Sequence, residues 1–429
     1  MGKDGCVSAE SRPEQALTLA RRVAARLHAA ASADGADRSG LAALLWVHAL
    51  SSAGDACIAV GLATTAFFDA SATEARGKLA LFLLLTLLPF ALLVPVAGPL
   101  LDRFPHGRRY VLSLTTAGRG LVAWTLAGAL ASASLYPQAL VVLVLARAYG
   151  VTKAAAVVRV RPPALGLVAA NARLNVAGTA SSAAAALLAV VISHTIGTPW
   201  VLRLGAVVFL VGGAVALRLP SHVDDRRSRL GPSVPFSFDG APKQVRRALA
   251  ATVSVRALSG LLTLGLAILL KAHHVRTITV GFVLGAAVLG GLLGTGLASR
   301  LSAHRTARVT SLALLAPVLA CPFAAFGGTT VLRALAVGSV GLGASLGKYA
   351  LDASLQQCLQ PGQTGSAFAR SETALQLGWA FGGGIGLAAS LADKTGLGGN
   401  GAVALCFVLA TAGALVGLVQ AARWSGRSA

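Results

Sequence analysis

Long apolar runs dominate the sequence and constrain its fold more than any other feature. Runs of about 20 residues recur along the 429-residue chain, and each could cross the hydrocarbon core of a bilayer, about 30 Å, as a helix. Because lipid cannot hydrogen-bond exposed backbone groups, such runs must be helices rather than open sheet. Charged residues make up only 12% of the chain, about half the fraction typical of soluble domains. The sequence therefore predicts an all-α integral membrane protein that crosses the bilayer many times.

The apolar runs divide into twelve predicted spans, which we number 1 to 12 in chain order. The first six cover residues 41–68, 79–101, 110–130, 138–160, 169–193 and 200–219. The second six cover residues 248–270, 279–301, 309–326, 331–356, 366–391 and 401–421. A long polar stretch rich in Arg, Ser, Pro and Asp separates the two sets, which is typical of a linker. The sequence therefore predicts two six-helix bundles joined by one linker.

The distribution of charge predicts the orientation of these bundles. The formal net charge is +22, but about 23 Lys and Arg fall in one set of alternate segments and about five in the other, which indicates positive-inside orientation rather than nucleic-acid binding. We therefore expect both termini in the cytoplasm of a bacterial-type plasma membrane. The first 40 residues contain one apolar helical face, compatible with a basic amphipathic helix on the inner leaflet or with a disordered tail. The predicted segments are a cytoplasmic arm (1–40), an N-terminal bundle (41–219), a cytoplasmic linker (220–247), a C-terminal bundle (248–421) and a cytoplasmic tail (422–429).

Two opposite charges fall at similar depth inside predicted spans 1 and 3. Asp55 and Arg119 each lie about 15–20 Å from the cytoplasmic end of their span, at 1.5 Å per helical residue. A charge at the bilayer centre costs about 2.5–3.5 kcal/mol on insertion scales, so each of them needs a partner or a wet cavity. One interpretation is a buried ion pair that locks a single conformation. The other is a carboxylate that exchanges its arginine partner for a proton during transport.

Further charges lie in spans 4 and 10. Lys348 and Asp352 are four residues apart on one helical face, which predicts an ion pair within span 10. Arg147 and Lys153 have no acidic residue near them in span 4. Either a carboxylate from another helix meets them, or they face water and an anionic group.

Arg370 and Glu372 stand at the predicted start of span 11. Because an acidic side chain is favourable near the positive end of a helix, the sequence predicts a capping role for Glu372. No spacing of cysteines or histidines indicates a disulfide framework or a metal site, and no catalytic constellation indicates an enzyme. We therefore expect no enzymatic activity, no cofactor and no bound metal.

A charged hinge joins spans 2 and 3. It combines a small residue, an Asp-Arg pair, and a glycine followed by two arginines: Gly98, Asp102, Arg103, Gly107, Arg108 and Arg109. A degenerate echo between spans 8 and 9 carries Arg300 and Arg305 at matching positions, with Ser299 in place of the aspartate. The hinge resembles the signature loop between helices 2 and 3 of the major facilitator superfamily of secondary transporters. An echo half a chain away also indicates two related halves.

This resemblance implies the fold of that family, with twelve transmembrane helices in two pseudo-symmetric six-helix bundles. It implies a central cavity lined by spans 1, 4, 7 and 10. It further implies that Asp102 acts as a cytoplasmic latch that docks on the N-terminus of span 11, and that Ser299 weakens or removes the latch of the second half. The charged residues that it places in or near the cavity are Asp55, Arg147, Lys153, Arg256, Lys348 and Asp352.

Within the superfamily, four features are similar to exporters of the enterobactin- and macrolide-efflux kind: Gly54-Asp55, a proline-rich span 2, Arg119 and Ala170-Asn171-Ala172. The Gly-Pro motif of drug antiporters is absent from span 5, so proton coupling would rest on Asp55 alone. The resemblance implies a monomeric, proton-coupled exporter that works by alternating access. The cationic balance of the cavity indicates an anionic or zwitterionic amphiphile as substrate. The alternatives are a lipid or lysolipid flippase and a transport-inactive membrane receptor on the same fold.

Overall fold

The computed structural model describes most of the predicted membrane region. The described residues are 31–63, 107–132, 134–224, 240–298, 306–359, 361–395 and 398–423, with the single positions 25, 29, 77, 81 and 238. Over these ranges the chain forms eleven long helices of 19 to 30 residues and no strand. The predicted all-α membrane fold is confirmed.

Each long helix corresponds to one predicted span, and span 2 lies outside the described residues except for position 81. In the first half, spans 1 and 3 to 6 form helices Leu41–Leu62, Arg108–Leu126, Leu135–Val160, Leu167–Thr195 and Thr198–Ala216. In the second half, spans 7 to 12 form helices Lys243–Ala272, Thr277–Ala298, Thr306–Gly327, Thr330–Cys358, Pro361–Ala389 and Gly398–Arg423. Ten of these helices are long and apolar enough to cross a membrane. The eleventh is span 3, which carries three arginines.

The packing of the helices repeats after six spans. In the first half, span 1 packs on spans 5 and 6, and span 3 packs on spans 4 and 6. In the second half, span 7 packs on spans 11 and 12, and span 9 packs on spans 10 and 12. We call the two sets the N bundle (spans 1 and 3 to 6) and the C bundle (spans 7 to 12). They meet where span 5 contacts spans 8 and 10 and where span 4 contacts span 11.

Glycines allow the closest helix contacts in the C bundle. A Cβ atom on Gly382 of span 11 would overlap the carbonyl oxygen of Ala257 in span 7. A Cβ on Gly290 of span 8 would likewise overlap the carbonyl of Gly338 in span 10. Small residues at such seams let backbones approach and gain van der Waals contact, which matters in lipid because burial from water contributes little there.

The helices extend into stretches that the sequence predicts as polar connections. Span 7 begins at Lys243, directly after Pro242, because Val245 and Ala248 are fully buried against the apolar side chain of Leu351 in span 10. After span 6, residues Ser221–Asp224 form a short 3-10 helix. Before span 1, Ala33–Gly35 and Ala36–Ser39 form two short helical turns. The predicted amphipathic face of the N-terminal arm lies outside the described residues.

Candidate functional site

An ion pair joins spans 1 and 3 in the middle of the N bundle. Arg119 Nη1 donates to both carboxylate oxygens of Asp55, at 2.7 and 2.9 Å. Arg119 is fully buried, whereas the side chain of Asp55 is 46% exposed although it lies deep in the protein. The structure therefore brings together the two charges that the sequence paired. The two partners of the ion pair differ in exposure, because the carboxylate has a solvent-accessible side and the guanidinium does not.

The surroundings of Arg119 hold its guanidinium in one place. Arg119 Nη2 donates to the Ser51 hydroxyl at 2.8 Å, and Arg119 Nε donates to the Thr115 carbonyl at 3.2 Å. The guanidinium also lies over the rings of Tyr149 and Phe209, at 4.9 and 4.6 Å from their centroids. Such contacts with ring faces stabilise a cation most where water is excluded. Arg119 therefore remains well bonded when Asp55 is removed from the pair.

The glycine before Asp55 has a packing role in this arrangement. A Cβ atom at Gly54 would lie 2.7 Å from the Phe209 ring. Only glycine leaves room for that ring, which in turn covers Arg119. In the Gly54-Asp55 pair, the glycine therefore leaves room for the Phe209 ring and the aspartate supplies the charge.

A second charged group lies in the C bundle, around Lys348. Lys348 Nζ is 2.9 Å from an oxygen of Asp352, four residues later on span 10, as the helical spacing predicts. It is also 3.2 Å from an oxygen of Glu372 on span 11. The predicted capping role of Glu372 is wrong, because span 11 begins at Pro361 and its first turn ends well before this residue. Arg370 is exposed near Glu372 on the same helix.

Glu372 also connects the two bundles electrostatically. Its carboxylate interacts with Arg256 of span 7 and with Arg147 of span 4, and it is the main opposite charge acting on Lys153. The sequence left open whether a carboxylate meets the two span 4 cations. The structure supplies one from the other bundle. Because the side chain of Glu372 is 46% exposed, its carboxylate is also accessible to solvent or a ligand.

His48 belongs to this site, and sequence reasoning missed it. Its Nδ1 lies 3.4 Å from the Tyr149 hydroxyl, and its Nε2 lies 3.4 Å from Lys153 Nζ. The available signal was the echo of His48-Ala-Leu-Ser51 in span 1 by Arg256-Ala-Leu-Ser259 in span 7. His48 of span 1 and Arg256 of span 7 stand at matching positions of the first helix of each bundle, and both belong to the same charged region.

The described part of the hinge contacts the start of the linker. Arg109 Nε lies 3.1 Å from a carboxylate oxygen of Asp224, and the backbone N–H of Arg109 donates to the other oxygen at 3.3 Å. Arg108 and Arg159 both donate to the carbonyl of Val223, at 3.4 and 3.3 Å. These contacts hold residues after span 6 against the N bundle. Gly107 precedes span 3, and the hinge and echo positions Gly98, Asp102, Arg103, Arg300 and Arg305 lie outside the described residues.

The described part of the site consists of charged groups and hydrogen bonds. Across the described ranges, no group of three or more His, Cys, Asp or Glu side chains is placed to hold a metal ion. A protein metal site usually needs at least three such ligands. What the arrangement can do chemically is bind and release protons and attract ions of opposite charge.

Comparison with known proteins places these features in a family. The model of the Major Facilitator Superfamily matches residues 44–383. The crystal structure of the human organic anion transporter MFSD10 (TETRAN) superposes with a TM-score of 0.66 over 90% of this chain and 99% of that chain, at 16% identity. A bacterial homologue of the iron transporter ferroportin, in an outward-facing state, gives a TM-score of 0.62 over 91% and 100% of the two chains, at 17% identity. Likeness at this identity shows the fold.

Two curated relatives come from mycobacteria and are uncharacterised. A Mycobacterium leprae protein is 31% identical over 395 residues, which cover 83% of this chain and 68% of that protein. A Mycobacterium tuberculosis protein is 36% identical over 225 residues, which cover 50% of this chain and 40% of that protein. With the family model matching most of the chain and transporters among its structural neighbours, this multi-pass membrane protein belongs to the Major Facilitator Superfamily.

Proposed function

We propose that the chain is a proton-coupled exporter of small anionic or zwitterionic amphiphiles that works by alternating access. The transport cavity in this proposal is the space between the bundles bounded by spans 1, 4, 7 and 10. The proton is the coupling ion, and the protein needs no cofactor or metal. It acts as a monomer in a bacterial plasma membrane with both termini in the cytoplasm. We place it near the enterobactin- and macrolide-exporter branch of the superfamily.

The observation that carries the proposal is the asymmetric pair of Asp55 and Arg119. A carboxylate that is 46% exposed can exchange protons with water in the cavity. Its partner has no such access but is held by Ser51, Thr115 and two aromatic rings. Protonation of Asp55 would therefore break the ion pair without displacing Arg119. A carboxylate that can take a proton or an arginine, but not both, links proton binding to the packing of spans 1 and 3.

The charge balance around the cavity supports the substrate class. The intramembrane cations of the site outnumber its carboxylates, with Arg119, Arg147, Lys153, Arg256 and Lys348 against Asp55, Asp352 and Glu372. A surplus of positive charge in a partly desolvated space attracts anions. The carboxylates on both bundles leave a place for the positive group of a zwitterion. One structural neighbour is described as an organic anion transporter, which agrees with this class.

Flux in proteoliposomes tests the proposal. The purified protein is reconstituted, an inward proton gradient is imposed, and internal pH is followed while anionic, zwitterionic and cationic amphiphiles are added in turn. Ferrous ion serves as a non-amphiphilic cation in the same panel. Wild type, Asp55→Asn and the control Asp37→Asn are compared. Asp37 is exposed near the start of span 1, so the control removes an acidic charge outside the site.

Each outcome decides between functions. Proton movement that requires an anionic or zwitterionic amphiphile, and that Asp55→Asn abolishes while Asp37→Asn does not, would support proton-coupled export. Movement of the amphiphile without protons would favour a facilitator or a lipid flippase. Binding of panel members without any flux would favour the receptor. Coupled movement of cations alone would refute the proposed substrate class.

A further inference from the structure

A chain of contacting side chains runs from the Asp55–Arg119 pair through Tyr149 and His48 to Lys153. Arg119 Nη2 donates to Ser51 Oγ at 2.8 Å, and the Arg119 guanidinium lies over the Tyr149 ring at 4.9 Å from its centroid. The Tyr149 hydroxyl lies 3.4 Å from His48 Nδ1, and Lys153 Nζ lies 3.4 Å from His48 Nε2. The rings of His48 and Tyr149 are also stacked, with a 6.2 Å centroid separation and a 17° angle.

The lysine end of this chain determines the direction of the two bonds to His48. A guanidinium and an ammonium can only donate hydrogen bonds. A charged Lys153 therefore donates to Nε2 of His48, which must then be unprotonated, and the single proton of the neutral imidazole stands on Nδ1. Nδ1–H then donates to the Tyr149 oxygen. With Lys153 charged, both contacts of His48 are hydrogen bonds only when the ring is neutral and carries its proton on Nδ1.

We propose that His48 is a second proton-binding residue of the transport cavity, and that a proton on its Nε2 releases Lys153 toward the carboxylates of the C bundle. An imidazolium has no lone pair for the ammonium to donate to, and the two cations repel at this distance. Contact with Lys153 and protonation at Nε2 therefore exclude one another. Asp55 and His48 would each exchange a basic partner for a proton.

Once released from His48, Lys153 would move toward the C bundle, because span 4 contains no carboxylate. The lysine at the matching position of the C bundle, Lys348, has Asp352 four residues later and Glu372 on the adjacent helix. Four residues after Lys153 stands the buried Val157. The C-bundle charges that act on Lys153 are Glu372, Lys348 and Asp352, and the carboxylate of Glu372 acts most strongly. A proton on His48 would therefore strengthen attraction between the two bundles.

Among the charged neighbours of His48, Lys153 is the one whose position controls the protonation of the ring. The charged groups acting on it are Lys153 from span 4 and Arg119 from span 3. From span 5 it meets Gly178, where a Cβ atom would lie 2.7 Å from Nε2. Arg119 is held by its own partners, so Lys153 is the one charge whose position can change. The consequence for transport rests on the proton coupling proposed above, but the switch itself can be measured without substrate.

Nitrogen NMR of histidine-labelled protein in lipid nanodiscs tests the tautomer. The signal of His48, among eight histidines, is identified by its loss in His48→Gln. We expect a neutral ring protonated on Nδ1 at pH 8 in wild type. In Lys153→Met, which keeps His48 but removes the donor, the ring should protonate at a pH higher than in wild type by about one unit or more. A ring with its proton on Nε2 at pH 8, or the same titration in Lys153→Met, would overturn the proposal.

Distance measurement by double electron–electron resonance tests the switch. Spin labels replace Ala164 and Ala307, exposed residues on the linker side of the N and C bundles, in a background without the five native cysteines. Lowering the pH from about 8 until the nitrogen signal of His48 reports a charged ring should add a shorter inter-bundle distance. His48→Gln and Lys153→Met should both abolish the change, and the control His222→Gln, at an exposed histidine, should keep it.

The results separate this inference from the proposed function. A pH-dependent distance that persists in His48→Gln and in Lys153→Met would refute the switch, whatever the flux experiment shows. A switch that depends on both residues, in a protein without coupled flux, would refute the proposed function and leave the inference standing.

Discussion

Asp55→Asn is the sharpest perturbation of the ion pair in the N bundle, because it removes a charge while it keeps the size and shape of the side chain. Asp55 accepts two hydrogen bonds from Arg119, and an asparagine oxygen can accept one of them. The change therefore isolates the loss of one bond and of the counterion. Phe209 and Tyr149 still cover the guanidinium.

The expected loss of stability follows from the geometry. A hydrogen bond to a charged group contributes about 1.5–3 kcal/mol. Removing one partner of a fully buried ion pair costs about 3–5 kcal/mol, and the 46% exposure of Asp55 reduces that penalty through solvent screening. We expect a loss of about 2 kcal/mol. For a bundle that unfolds as a unit of about 150–250 residues, this corresponds to roughly 4–8 °C in melting temperature.

Thermal unfolding of four proteins in the same detergent measures the pair: wild type, Asp55→Asn, Arg119→Gln and the double variant. In the double variant the two amides can bond to one another and no charge is left unpaired, so part of the loss should be restored. We expect a coupling free energy of about 1–2 kcal/mol between the two changes. Asp37→Asn, at an exposed carboxylate, should change stability by less than about 0.5 kcal/mol. Strictly additive melting shifts would refute the interaction that we infer from the structure.

Three further perturbations test other parts of the molecule. Glu372→Gln removes a partly exposed carboxylate beside Lys348. Because this negative charge would repel an anionic substrate, the transport KM for that substrate should fall by about fivefold. An unchanged or higher KM in the flux assay would contradict the proposed anion site. Gly382→Leu places a side chain where the carbonyl of Ala257 lies, so the yield of monodisperse protein in size-exclusion chromatography should fall severalfold. A yield equal to that of wild type would show that spans 7 and 11 are not close-packed there. Asp224→Asn weakens the contact of the linker with the N bundle, so limited proteolysis should cleave at residues 220–242 several times faster; equal cleavage would mean that this contact does not hold the linker.

Several features of the site follow from local sequence rules. Lys348 and Asp352 face one another because residues four apart share a helical face. Asp55 and Arg119 could be paired because two isolated opposite charges at equal depth in an apolar environment each need a partner. These inferences use helical periodicity and the cost of burying charge, which depend little on the arrangement of the other helices.

Other features could not be derived in this way. The sequence predicts a capping role for Glu372 because it predicts that span 11 begins near residue 366, whereas the helix extends back to Pro361. Its interaction with Lys348 and with the cations of span 4 depends on how spans 4, 10 and 11 meet. His48 is an unremarkable residue in an apolar run until Tyr149 and Lys153 are brought to its two nitrogens. Helix lengths and partners of this kind depend on contacts between residues far apart in the chain.

The sequence by itself determined that this chain is an all-helical membrane protein with two related halves, because the bilayer forces every long apolar run into a helix and because the hinge is repeated. It also determined which charges are costly and so need partners. Only the tertiary structure decided which partners they have: an exposed Asp55 on a buried Arg119, a Glu372 between the bundles, and a His48 in contact with Lys153. The physical reason is that the cost of a buried charge depends on local sequence, whereas the position of its counter-charge depends on helix packing across the whole molecule.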